Sequence, residues 1–417
     1  MTNQRKQIKF NEIITLHKGK PPEILPYYGV DAKPYLTPEF LRCRSFPELA
    51  KPSSNAVFVD DGDTILLWDG SNAGECLQGR KGLLASTMAV VRHSDNFDKE
   101  YFFYSVKFWE PYLKGQTTGS GIPHIDKKVF GNLEIFLFEI ENQKKIAAVL
   151  STVDRAIAQT EALIAKQQRI KTGLMQDLLT KGIDKNGNIR SEAIHRFKDS
   201  PLGRIPEEWE TPELKEVSQV IDPNPAHRYP PPTEIGIPII STENFSGENG
   251  YELKNVQTVS FKAFQEQNDR CQYQENDIVF ARKGRLGLAR FYGVEKKIFS
   301  HTVVIFKPFN TESLYPNYLL WLVRSRSFFK EINKRMNSNS GVPTLGVEFL
   351  GAVPIPVPPP LEQKQISNLL SCSESKIEVS QNQLLKLKRQ KTGLMQDLLS
   401  GKVPVTPLLE PSPVGQT

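Results

Sequence analysis

The residues whose types could do chemistry sit in two kinds of polar, glycine-containing loop. One kind is basic: Arg80 and Lys81 lie within WDGSNAGECLQGRKG, and Arg282, Lys283 and Arg285 lie within ARKGRLGLARFYG. The other is neutral and hydroxyl-rich: Thr117, Thr118 and Ser120 in KGQTTGSGIPHID, and Ser338, Asn339 and Ser340 in NSNSGVPTLG. Guanidinium and ammonium groups on loops can meet phosphate oxygens or the O6 and N7 edge of guanine, and hydroxyl and amide groups add directional hydrogen bonds. Any one such loop is commonly just solvated surface. The same loop positions recur in both halves of the chain, which weakens that bland reading, although the second half is the more basic.

Catalytic and metal-binding patterns are missing. No GxxxxGK[ST] loop is present to cradle a nucleotide triphosphate. Neither NPP[FY] nor DPP[YF], the tetrapeptides expected of an amino-methyltransferase, occurs; Asp222-Pro223-Asn224-Pro225 lacks the closing aromatic. The six histidines (17, 93, 124, 195, 227 and 301) show no HxxxH or HExxH spacing, so no metal is expected. His93 and His301 lie at the ends of strand candidates, where surface or core roles are the simpler reading. Asp60, Asp61 and Asp63 read as a turn. Gly119-Ser120-Gly121 lacks the strand–turn–helix setting of a cofactor loop.

The elements that must position these loops are organised around a duplication. KTGLMQDLL runs from Lys171 to Leu179 and again from Lys391 to Leu399, an offset of 220 residues. Without a gap, residues 143–179 match 363–399 at 17 positions. The match extends to the loops, where Ser120, Gly121, Pro123 and Gly131 correspond to Ser340, Gly341, Pro343 and Gly351. Within the repeated segment, apolar residues step by 4 and 3, the seam of a coiled coil. In the first copy the seam carries Ile146, Leu150, Val153, Ile157, Ile164, Leu174 and Leu178; in the second, Ile366, Leu370, Ile377, Leu384, Leu387, Leu394 and Leu398. About 37 helical residues would span roughly 55 Å. A lone helix cannot bury that seam, so the two copies are expected to pair, antiparallel; the alternative is that each packs only in its own half. Gly173 and Gly393 recur inside the helices at a cost of about 1 kcal/mol each against alanine, which points to close backbone approach or a kink.

The chain therefore reads as mixed α/β (α+β) in class: two tandem α/β blocks and two long helices with an internal pseudo-two-fold. The boundaries are 1–140 for the first block, 141–182 for the central helix, 183–358 for a polar linker plus the second block, 359–402 for the C-terminal helix, and 403–417 for a proline-rich tail. A length of 417 residues and 39% hydrophobic content support real cores. The net charge of +6 suits a polyanionic partner without demanding one. Cys43, Cys76, Cys271 and Cys372 are scattered, which fits a reducing cytoplasm rather than a disulfide framework. MTNQRKQIKF has no apolar signal region, and no run of about 18 apolar residues suggests a membrane span.

The two KTGLMQDLL helices, the EWE segment around Trp209, YLTPEFLR (Tyr35 to Arg42), NDIVFARKGRLG, and NSNSGVPTL followed by VPIPVPPPLEQKQI together resemble the specificity subunits of type I restriction–modification systems. That resemblance covers essentially the whole chain and implies two target recognition domains separated by conserved helices. Each domain would read half of a bipartite double-stranded DNA sequence. Two readers on a pseudo-two-fold would meet half-sites about one helical turn, near 34 Å, apart. The helices would set the spacer and dock two modification subunits that methylate adenine with S-adenosylmethionine. Restriction subunits using ATP and Mg would complete the defence against foreign DNA. This chain would itself be non-catalytic and would bind no cofactor. Two other readings remain open at this stage: a stand-alone DNA-modifying or DNA-cleaving enzyme, which should carry a catalytic tetrapeptide or a shared carboxylate cluster, and a non-DNA coiled-coil scaffold, which should show no salt-dependent affinity for duplex DNA. One departure stands out. The first block enters its helix through NLEIFLFEIENQKK, where the second uses AVPIPVPPPLEQK, so the two junctions are expected to differ.

Overall fold

Strand Ile278–Ala281 (IVFA) is buried at every position, as is Thr64–Leu67 (TILL), and each is the hub of a small antiparallel sheet. Apart from Thr64, both runs are apolar because both of their faces are covered. The computed structural model describes residues 6–25, 31–43, 46–117, 121–335 and 345–403. It divides into two compact units: one comprises residues up to Ala162 together with those from Gln381 onward, and the other comprises Leu163–Ser380. Each long helix, Ile140–Leu178 and Pro360–Leu399, thus gives its first part to one unit and its last part to the other. Sequence blocks and compact units are not the same partition.

The two units share one plan. In the first, a four-stranded sheet has the order Ile14–Lys18, Met88–His93, Thr64–Leu67, Cys76–Gln78. In the second, the order is Ser218–Ile221, Val303–Pro308, Ile278–Ala281, Ala289–Phe291. Each unit adds a second sheet with one parallel pairing, Tyr35 opposite Leu83 in the first and Ile239 opposite Ile298 in the second. A short helix packs on each hub sheet: Lys99–Phe108, which starts on an Asp98 cap, and Pro316–Val323, which starts with proline.

Every expected seam position on the long helices is buried or half-buried. Ile146, Leu150, Ile164, Leu178, Ile366, Leu370, Ile377 and Leu398 are buried; Val153, Ile157, Leu174, Leu384, Leu387 and Leu394 are half-buried. The seam does more than pair helices. In the first unit Ile146, Leu150, Leu398 and Leu399 share a core with Tyr101, Phe102 and Phe130. In the second, Leu178, Leu179, Ile366 and Leu370 share a core with Tyr318, Trp321 and Trp209. Each copy of KTGLMQDLL therefore ends in the unit to which its own sequence block does not belong.

Within each unit the two helix segments run antiparallel and are locked by ion pairs. In the first, Lys391 meets Asp154 at 2.6 Å and Lys388 meets Glu161 at 2.8 Å. In the second, Lys171 pairs with Glu374. The same two lysines lie over aromatic rings, Lys391 over Tyr104 at 5.7 Å and Lys171 over Trp321 at 5.1 Å. Polar groups at a seam specify register at a cost in stability. Gly173 and Gly393 do not permit close approach within the chain: a Cβ at either position would meet nothing within 4 Å, and both helices run unbroken through them.

The junctions differ, as expected, in the strand ladder. Lys6–Lys9 pairs with Glu134–Leu137 as a regular two-stranded ribbon. The proline-rich counterpart makes only isolated bridges, Glu210 with Val357 and Glu213 with Pro354, because prolines carry no amide hydrogen. One feature of the helix start, a buried glutamine, is the same in both. The Gln143 side chain accepts from the Asp98 amide at 2.8 Å and donates to the carbonyls of Asn96 and Phe138 at 2.9 and 2.8 Å. Gln363 accepts from Tyr315 and donates to Ser313 and Pro358, each at 2.8 Å. Both glutamines are fully buried.

The polar linker is no loose tether. Trp209 is fully buried, and its indole donates to Glu362 at 3.2 Å. Glu362 also accepts from the Ile183 amide at 2.9 Å and from both terminal guanidinium nitrogens of Arg190. Gly182 lies against this cluster with φ +63, and a Cβ there would collide with the Glu362 carboxylate and Trp209.

Candidate nucleic-acid interface

In the second unit, the buried strand Ile278–Ala281 runs out into the loop at 282–287. The amides of Arg282 and Lys283 both donate to the Thr302 carbonyl, at 2.9 and 3.2 Å. Two glycines with positive φ, Gly284 and Gly287, let the loop turn back; a Cβ on Gly287 would overlap the Phe329 ring. The loop presents Lys283 half-exposed and Arg285 exposed, the latter donating to the Phe245 carbonyl at 3.2 Å. Arg282 is placed otherwise than expected. Its guanidinium is buried, 2.5 Å from Asp222, and its Nε donates to the His301 carbonyl at 2.9 Å. It braces the loop from beneath and is not free to reach a ligand.

The equivalent loop of the first unit is 68–74. The Trp68 and Asp69 amides donate to the Thr87 carbonyl, at 2.8 and 3.1 Å, and Gly70 and Gly74 have positive φ. Arg80 and Lys81 are not on it. They lie on the turn between Cys76–Gln78 and Gly82–Leu84, exposed, with the Lys81 amide on the Asp61 carboxylate at 3.2 Å. Asp61 precedes the strand Thr64–Leu67, and Trp68 follows it. Arg80 and Lys81 therefore sit at the far end of a strand about 13 Å long and do not join the loop that matches Lys283. Asp60, Asp61 and Asp63 form that turn: Asp63 accepts from the Asp60 amide at 2.9 Å and pairs with Lys99 at 2.8 Å.

The hydroxyl-rich loop does approach the first loop. The Gly70 amide donates to Pro123 at 2.9 Å, and the Ile125 amide donates to Trp68 at 3.1 Å. Thr117 is half-exposed at the start of that segment. In the second unit the Leu345 amide donates to Arg282 at 3.0 Å, the same juncture. Thr118, Ser120, Ser338, Asn339 and Ser340 lie outside the described residues.

A basic and aromatic group beside Lys283 went unread in the sequence. His227 and His301 stack with centroids 4.7 Å apart at 27°, and the Tyr229 hydroxyl lies 3.1 Å from His301 Nδ1. Burial, then His227 and the nearby Lys283 and Arg282, hold the His301 imidazole below its usual pKa; Asp222 opposes them. The histidines are 74 residues apart in the chain, and no local spacing rule joins them. Elsewhere, burial raises the Cys271 thiol and pushes the Cys76 thiol up to about 12, so neither is an activated nucleophile. Among the described residues no group of three or more His, Cys, Asp or Glu could hold a metal ion. No helix among them is long and apolar enough to cross a membrane.

Two like α/β units, each presenting a loop site at the end of its hub strand and each clamped onto long helices, define a tandem recognition protein. The comparisons agree. The family model described as "Type I restriction modification DNA specificity domain" matches residues 5–169 and again 206–389, and the chain belongs to that family. It is 31% identical over 407 residues to the type I restriction enzyme MjaVIII specificity subunit of Methanocaldococcus jannaschii, covering 95% of this chain and 92% of that one. Its fold is similar to the solved type I restriction–modification S subunit of M. genitalium, with a TM-score of 0.59 at 16% identity, covering 95% and 96% of the two chains. A second solved chain, from work on complex assembly and conformational transition of the type I system, has a TM-score of 0.55 at 17% identity, covering 97% and 99%.

Proposed function

We propose that this chain is the DNA-recognising specificity subunit of a type I restriction–modification enzyme. Each unit reads one half of a bipartite duplex target, and the chain itself performs no catalysis. The observation that carries the reading is the duplicated loop site on a common frame, within a chain that belongs to the specificity family along almost its whole length. In the second unit Lys283 and Arg285 meet phosphate, and Arg282 fixes the loop that presents them. In the first unit the contact falls to the 68–74 loop, whose one charged side chain, Asp69, is paired with Lys18, and to the segment from Thr117 to His124. Arg80 and Lys81 serve at most as an outlying phosphate contact.

The helices set the gap between half-sites and dock two modification subunits. The exposed residues of the duplicated segment support this. Thr172, Gly173 and Gln176 face solvent, as do Thr392 and Gln396, with Gly393 partly so; the three positions are identical in the two copies, and open space lies above both glycines. One surface presented twice suits two copies of one partner, and a helical glycine with open space above it suits close approach by that partner. S-adenosylmethionine would be bound by the modification subunits, and ATP with Mg by restriction subunits; this chain operates in the cytoplasm, where those partners and their cofactors are.

The test is co-expression with a modification subunit followed by genome-wide mapping of methylated adenine. A bipartite motif with a fixed gap that disappears when this chain is omitted is the expected result. Methylation unchanged by its omission would overturn the reading. A four-residue insertion in the helical segment 143–179 should change the permitted gap and leave both half-sites intact.

A further inference from the structure

We propose that the stacked pair His227–His301, together with Tyr229, is a base-reading element for the half-site served by the second unit. This rests on the DNA-reading function proposed above and assigns a different task from that of Lys283 and Arg285. The first ground is position. His301 precedes Thr302, whose carbonyl anchors the Arg282 and Lys283 amides, and the His301 carbonyl accepts from Arg282 Nε. The histidine stack is therefore attached to the floor of the basic loop.

The second ground is exposure. His227 is exposed and Tyr229 is 49% exposed, so the stack is not core packing. The third is rigidity. Asp222 holds Arg282 on one side and accepts the Asn224 amide at 2.9 Å on the other; Asn224 accepts the His227 amide at 3.1 Å, and Arg270 holds the Pro223 carbonyl at 2.7 Å. His227 is kept at φ 53, a left-handed conformation uncommon for a residue with a side chain. Solvated loops seldom maintain such a conformation beneath an exposed ring, and sites that must present a side chain in one pose do.

The fourth ground is chemistry. Lys283 and Arg285 are assigned above to phosphate, which every sequence of DNA carries. With His301 Nδ1 on the Tyr229 hydroxyl, a neutral imidazole leaves Nε2 to serve as a single donor or acceptor, a direction that can distinguish base edges in the major groove. Burial and the surrounding cations favour that neutral form at His301. The exposed Arg228 and the half-exposed Lys283 flank the stack with the charge needed to hold a duplex against it. In the first unit the position before the anchoring carbonyl of Thr87 is Ser86, and among the described residues of that unit no two histidines stack. A device present in one unit only is what a reader of one half-site requires.

The experiment uses the full chain in complex with its modification subunit and a duplex library randomised across both half-sites. His227→Gly removes the ring and keeps the left-handed backbone; Tyr229→Phe removes only the hydroxyl; Lys283→Ala serves as the phosphate control. His227→Gly should lose about tenfold in preference at one or two base pairs of one half-site, with the other half-site and the melting temperature unchanged. Tyr229→Phe should weaken the same positions by less. Lys283→Ala should lower affinity for all sequences alike and flatten the salt dependence. Unchanged preferences in both His227→Gly and Tyr229→Phe would overturn the assignment. So would a uniform loss in His227→Gly matching that of Lys283→Ala, which would reduce the stack to a phosphate contact. A wild-type complex that selects no bipartite motif would remove the DNA-reading function itself, and this inference with it.

Discussion

The loops at 68–74 and 282–287 occupy the same place on the same frame, and their side chains have little in common. Both are tied by two successive amides to a single carbonyl, Thr87 or Thr302, and both turn on positive-φ glycines. On the first, Asp69 is bound to Lys18 at 2.6 Å; on the second, Lys283 and Arg285 project from a buried Arg282–Asp222 brace. The frame is held by backbone hydrogen bonds and buried glutamines, which are indifferent to what the loop displays. That separation lets one half of the protein present a basic face and the other a nearly neutral one without any change of fold.

The largest expected effect breaks the symmetry. Glu362→Ala strands Arg190, the Trp209 indole and the Ile183 amide, and should destabilise the second unit by about 4 kcal/mol. The corresponding first-unit residue is Asn142, and Asn142→Ala should change stability by no more than about 0.5 kcal/mol. Urea unfolding followed by tryptophan fluorescence measures both, and equal losses would mean that the linker clamp is not peculiar to the second unit.

The next effect should restore the symmetry. Gln143→Ala and Gln363→Ala each leave three backbone groups unpaired at a helix start, for a loss of about 2–3 kcal/mol in either unit. If only one of them destabilises, the shared junction is a coincidence of geometry. Smaller again, Lys283→Ala combined with Arg285→Ala should weaken duplex binding about tenfold at low salt, roughly 1.4 kcal/mol, and reduce the salt slope by about one per lost phosphate contact. Asp69→Ala in the first unit should leave that slope unchanged. An equal drop in both would make the two loops alike in function despite their charges.

The smallest effect concerns the duplicated helix. Gly173→Ala and Gly393→Ala should each stabilise the free chain by about 0.5–1 kcal/mol, since the Cβ has open space and alanine favours helix. Each should at the same time weaken assembly with the modification subunit, measured by titration calorimetry. Assembly as tight as in the wild type would leave these glycines without a role at a partner surface.

The amino-acid sequence by itself determined the duplication, the two helices, the seam and the family. These depend on identity at a constant offset and on a 3.5-residue period, both carried by neighbours along the chain. The basic loop at 282–285 and the turn at Asp60–Asp63 were legible from the residue types adjacent in the chain. Tertiary structure alone decided which residues meet. Arg282 read as an exposed cation until Asp222, 60 residues away, was found beneath it; Arg80 and Lys81 read as its counterpart until strand pairing placed them at the opposite end of the hub strand. His227 and His301 had no signal in common, and Gln143 and Gln363 matched as repeat residues without disclosing that each bonds three backbone groups. The swap of each helix end into the opposite unit was equally hidden. Strand order, burial and long-range hydrogen bonds arise from contacts across tens to hundreds of residues, and no local pattern of residue types encodes them.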